Sequence, residues 1–93
     1  MQTRHKLVTL STSTPVALTF EDTIQSSYTM VVQNNNSSGY VYLGASNVGA
    51  SSYGYKLYPG QGFTIEMSSL NRIYAVCSDN TMTAALLVIE RAI

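Results

Sequence analysis

Ninety-three residues, with five Lys or Arg against five Asp or Glu and charged residues at only 11% of the chain, give a formal net charge of zero. A chain of this size makes one domain, 1–93, hiding about 60 to 65% of the surface its unfolded form exposes; with Cys77 as its only cysteine it excludes an internal disulfide, and no ligand-spaced cluster offers a metal. Arg4, Lys6, Lys56, Arg72 and Arg91 are scattered, so there is no basic stripe for phosphates and nucleic acid is not an expected partner.

The opening "MQTRHKLVTLSTSTP" lacks the apolar stretch of a secretory signal, and no later run reaches membrane-spanning length. An intact, soluble, non-secreted chain without membrane contact is the expectation. Alternating β-branched and aromatic residues then run the length of the sequence, broken by Gly, Pro, Asn and Ser, which predicts short antiparallel strands. They fall at 4–11, 16–20, 28–33, 40–45, 55–58, 62–67, 72–78 and 82–91. No segment carries a helical period.

Between the strands, "TSTP" leads into the second, and "NNNSSG" (34–39) suits turn and left-handed positions. "SDNT" (78–81) reads as a tight hairpin turn between the last two strands, so that the chain as a whole is expected to meander. Asn35 and Asn36 begin glycosylation sequons but are better read as turn residues. Gly39, Gly44, Gly49 and Gly54 recur every five residues, a spacing that matches no structural repeat; "ASNVGASSYG" (45–54) reads as a flexible loop able to approach a neighbour.

In "KLYPGQGFTIEM" (56–67), Pro59 sets φ for the first central position of a turn and Gly60 supplies the positive φ that a type II turn requires next. The corner would aim Phe63, Ile65 and Met67 at one core face. The last strand is apolar on both faces, with Ala85, Leu87 and Ile89 on one and Met82, Ala84, Leu86 and Val88 on the other. A second sheet can cover one face; a long loop or another subunit must cover the other.

Reactive chemistry is sparse. His5, the only histidine, sits between two basic residues with no triad or zinc pattern around it, and reads as a surface residue of the first strand. Cys77 alternates with Ala75 and Ile73 on the inward side and reads as inert packing. Glu21 and Asp22 diverge on an extended chain, which favours solvated turn charge over calcium binding or acid–base work. No catalytic residue, metal or cofactor is expected.

Seven tyrosines against two phenylalanines and no tryptophan are an unusual aromatic choice. Tyr40, Tyr42, Tyr53, Tyr55 and Tyr58 cluster around the loop and the corner, where strand-edge packing or subunit contact is the favoured role and stacking on sugar rings the alternative. With Leu86 and Val88 they form the expected interface set.

The succession "TRHKLVTLSTSTPVALT", "VVQNNNSSGYVYLGASNV", "YGYKLYPGQGFTIEM" and "RIYAVCSDNTMTAALLVIERA" resembles small structural proteins of tailed-phage virions. In that group a "TP" turn follows the first strand, a "VYLG" strand precedes an "NV" loop, an "L.PG" corner follows, and a "YAV" strand pairs with a closing "V.E" strand. The resemblance spans nearly the whole chain and carries no catalytic signature or fixed functional residue. It implies a compact β-sandwich or jelly-roll-like barrel, located in the virion after assembly in the host cytoplasm, acting as cement or adaptor.

The combined expectation is an all-β fold, a small antiparallel β-sandwich or jelly-roll-like barrel of about eight short strands. It would form a homo-oligomer, with a trimer favoured, whose partners are phage capsid or tail proteins. Capsid decoration is the leading function; a tail component (baseplate, tail tip or fibre attachment) and a host-glycan-binding module are the alternatives, and an enzyme is not expected.

Overall fold

The computed structural model describes residues 3–19, 27–68, 72–80 and 82–90. Eight strands follow the alternating runs: β1 (Thr3–Thr9), β2 (Val16–Ala17), β3 (Tyr28–Gln33), β4 (Val41–Gly44), β5 (Tyr55–Leu57), β6 (Gly62–Met67), β7 (Tyr74–Cys77) and β8 (Thr83–Glu90). The described residues contain no helix. Glu21, Asp22 and Arg91 lie outside them.

Two four-stranded sheets result, sheet I in the order β1-β8-β3-β6 and sheet II in the order β2-β7-β4-β5, with every pairing antiparallel. First pairs with last, second with seventh, third with sixth and fourth with fifth, so the chain is one long double ribbon whose successive pairs alternate between the sheets. Contacts of β8 with β3 and of β7 with β4 seal the roll. This is jelly-roll wiring.

The expected meander is therefore corrected. Only β4 and β5 are neighbours both in sequence and in a sheet. The link at "SDNT", of which Thr81 lies outside the described residues, joins β7 of sheet II to β8 of sheet I and so closes no hairpin, and the "YAV" strand pairs with β2 and β4, not with the closing strand. Turn residues specify that the chain bends; the choice of sheet falls to burial, because short strands hide apolar faces best when two inner surfaces pack on each other. The crossing between β1 and β2 is visible atom by atom: the Leu10 N–H donates to Met82 O in sheet I (3.0 Å), and the next residue's carbonyl, Ser11 O, accepts from Cys77 N–H in sheet II (3.0 Å).

Alternate side chains of both sheets meet in the core. Sheet I contributes Tyr28, Met30 and Val32 from β3, Ala84, Leu86 and Val88 from β8, and Met67 with half-buried Phe63 and Ile65 from β6; sheet II contributes Val41, Leu43, Leu57, Ala75 and Cys77. The aim expected for Phe63, Ile65 and Met67 is the observed one. Arg4, on the inward side of β1, meets Glu90 of β8 at 3.6 Å.

Among the described residues, Asn34 is the one buried polar side chain, at 0% exposure. Its Nδ2 donates to Leu57 O (3.0 Å) and Gly39 O (3.1 Å), and its Oδ1 accepts from Asn36 N–H (3.1 Å) and Asn36 Nδ2 (2.7 Å). Asn36 in turn imitates a strand: its Nδ2 donates to Thr83 O (2.7 Å) and its Oδ1 accepts from Thr83 N–H (3.2 Å). The run "NNNSSG" thus ties the end of β3 to β5 in one sheet and to β8 in the other. Gly39 completes the turn at φ +87°, where a Cβ would lie 2.8 Å from Met82 Sδ.

The Pro-Gly corner is clamped to the same asparagine. Gly60 has φ +83°, Gln61 N–H closes the turn onto Tyr58 O (2.9 Å), and Gly60 N–H donates to Asn34 O (2.8 Å). Its work is to carry the chain from β5 in sheet II to β6 in sheet I. Replacing Asn34 with Leu strands the Leu57 and Gly39 carbonyls and Asn36, so Asn34→Leu is expected to cost about 2 to 4 kcal/mol, read as a lower urea midpoint with unchanged slope.

Candidate interaction surface

The pleat of sheet I sorts β8 into two rows. Leu86 and Val88, each 1% exposed, face the core, so these two members of the expected interface set are packing residues. Register explains the assignment: Leu86 and Val88 align with Val32 and Met30 of β3, whose side chains lie between the sheets. The outward row is Ala85, Leu87 and Ile89.

That row is the middle of an apolar stripe. Leu7 of β1 lies beside Ala85, Val31 of β3 beside Leu87, and Leu7 is 64% exposed. His5, Leu7, Val31, Gln33, Ala85 and Leu87 border a shallow depression there. Around the stripe stand Thr3, Thr9, Thr29, Thr64 and Thr83 on the same face. Glu66 is the face's one carboxylate among the described residues, at its margin, accepting from Thr29 Oγ1 (3.2 Å). No described segment crosses this face.

Sheet II differs because the loop at 45–54 folds over it. Val48 is buried there with Tyr42 and Val76. Val48 N–H bonds Ala45 O (3.0 Å), Gly54 N–H bonds Leu43 O (2.8 Å), and Gly49 and Ser52 exchange a pair of bonds (2.8 and 3.1 Å). Gly44 permits the approach, since a Cβ on it would sit 3.0 Å from Val48 Cγ2. The expectation of a loop offered to a neighbour is corrected: the loop folds onto its own sheet, held by Val48 and by the Tyr53 ring against Tyr42. The single Val in a run of small polar residues was the signal for it.

The tyrosines are already engaged. Tyr40 and Tyr58 meet edge to face (5.2 Å between centroids) with Lys56 Nζ over both rings, at 4.1 and 5.0 Å. Tyr42 is buried against Tyr53 (4.9 Å), which makes it a packing residue and not a contact surface. Tyr55, in register with Leu43, turns the other way and stacks obliquely on Phe63 (4.7 Å) at the sandwich edge. Tyr53, Tyr55 and Tyr58 remain exposed, each resting on a different ring: Tyr42, Phe63 and Tyr40.

His5 lies exposed on β1. Cys77 is buried, its S–H donating to Asp79 O (2.9 Å); burial pushes its thiol above the ordinary cysteine value, outweighing the backbone hydrogen bonds that pull it down. Such a thiol is protonated at neutral pH and is no nucleophile. Among the described residues, no three His, Cys, Asp or Glu gather where a metal could be held, and no helix is long and apolar enough to cross a membrane.

Comparison with known proteins returns no matching family model, no matching curated protein and no matching solved structure. Function therefore rests on what the surfaces can do. Removing the loop's anchor gives a direct check: Val48→Ala is expected to cost about 1 to 2 kcal/mol and to speed amide exchange across 45–54 while strands of sheet I keep their protection.

Proposed function

We propose that this protein is a structural component of a tailed-phage virion, a capsid-decorating subunit that works by association. The observation that carries the proposal is the apolar outer face of sheet I, with Leu7, Val31, Ala85, Leu87 and Ile89 outward. An apolar stripe set in a nearly uncharged surface is suited to covering by protein. The low charge of the chain leaves little repulsion between copies, and the strand and turn motifs resemble small virion proteins. Jelly rolls serve viral shells among many other roles.

In this account the stripe seats against the shell or a neighbouring copy, the assembly is a homo-oligomer of the trimeric kind expected from the sequence, and strength comes from several modest contacts made together. Mass spectrometry of purified particles is expected to find the polypeptide at a copy number that scales with the shell lattice. A handful of copies would assign it to the tail, and absence from particles would remove the virion altogether. Leu7→Glu, at an exposed site, is expected to change stability by no more than about 0.5 kcal/mol while weakening particle binding about tenfold or more; undiminished binding would exclude the stripe as the contact.

A further inference from the structure

The four edge strands are unequal. Two are short, β2 with two residues and β5 with three, and β1 carries Arg4 and Lys6 on its inward side, a device that discourages pairing with another chain. β6 has six residues, "GFTIEM", and no inward charge. Its inward residues are Phe63, Ile65 and Met67, packed at the margin of the core.

Backbone direction along β6 follows from the ladder. Asn34 N–H donates to Gln61 O (2.9 Å), and hydrogen-bonded pairs alternate in an antiparallel ladder. With Val32 opposite Phe63 and Met30 opposite Ile65, the peptide groups of Phe63 and Ile65 turn toward β3. Those of Gly62, Thr64 and Glu66 therefore point away from β3, out of the sheet.

We propose that β6 pairs antiparallel with β6 of a second copy about a two-fold axis through Thr64, joining two sheets I into one continuous sheet. The register is self-complementary. Thr64 faces Thr64, and Glu66 faces Gly62, so no carboxylate opposes another. On the inward side Phe63 faces Ile65 in both directions, an aromatic against a β-branched residue, a favourable cross-strand pair. Tyr55, exposed and 4.7 Å from Phe63, flanks the seam as a second layer. β1 is less suited to the same operation: an axis at His5 sets Arg4 against Lys6, an axis at Lys6 sets two lysines together, and an axis at Leu7 lays each inward Lys6 against an apolar Val8.

The contact is isologous and yields a dimer, or links two rings of three where the sheet I face also closes a ring. It does not depend on the virion proposal and is tested on purified protein. Opposed Thr64 residues would have Cα atoms about 5.5 Å apart, within disulfide reach. Under diamide, Thr64→Cys is expected to form a covalent dimer in most of the protein, whereas Glu66→Cys, opposite Gly62, is expected to form little. Thr64→Pro removes an N–H that β3 does not use, and Thr64→Lys sets like charges on the axis at an exposed position. Both are expected to keep the wild-type circular dichroism and lower dimer affinity about tenfold or more. A wild-type chain that stays monomeric, equal crosslinking at positions 64 and 66, or folded Pro and Lys variants that dimerise like wild type would each overturn the pairing.

Discussion

Everything in this structure depends on β8 being apolar on both faces. As an inner strand it takes β1 on one side and β3 on the other, and its inward row of Ala84, Leu86 and Val88 fills the centre of the core. A one-residue slip would exchange that row for Ala85, Leu87 and Ile89 at little cost in hydrophobicity, so patterning alone leaves the register of β8 weakly specified. What fixes it is polar. Asn36 grips both peptide groups of Thr83, and Thr83 Oγ1 donates to Asn35 (3.0 Å), at the entry to the strand.

The asparagine run therefore acts as a clasp at the point where β3, β5, β8 and the Pro-Gly corner converge. Asn34 is fully enclosed with its amide and carbonyl both engaged, and the corner's Gly60 N–H returns to its backbone carbonyl. In a chain with no disulfide and a core this small, such a satisfied network holds the two sheets in one relative placement. It leaves the outward row of β8 on a face that no described segment covers.

Much of the fold was legible from residue order. The eight strands fall on the eight alternating runs, with β3 and β6 matched to the residue, because short β-branched segments between Gly, Pro and Asn have few other conformations. The positive φ at Gly60 follows from Pro59-Gly60 in the same way. Sheet membership was not legible: turn chemistry at 78–81 is the same for a hairpin and for a crossing. Neither was the side of β8 that faces the core, since both rows are apolar, nor the burial of Tyr42 and Val48, which requires knowing that the loop folds back. The clasp was hidden because an asparagine-rich turn and an asparagine-rich hydrogen-bond hub share one composition.

The proposed association rests on the outer face of sheet I, where Leu7, Val31, Ala85, Leu87 and Ile89 form an apolar stripe. Sedimentation velocity of the purified protein over a wide concentration range, in low and in molar salt, tests this most directly. Apolar contacts are not screened by added salt. An assembly that persists or strengthens in molar salt is expected; a single monomeric species at every concentration and salt level would rule out association through this face.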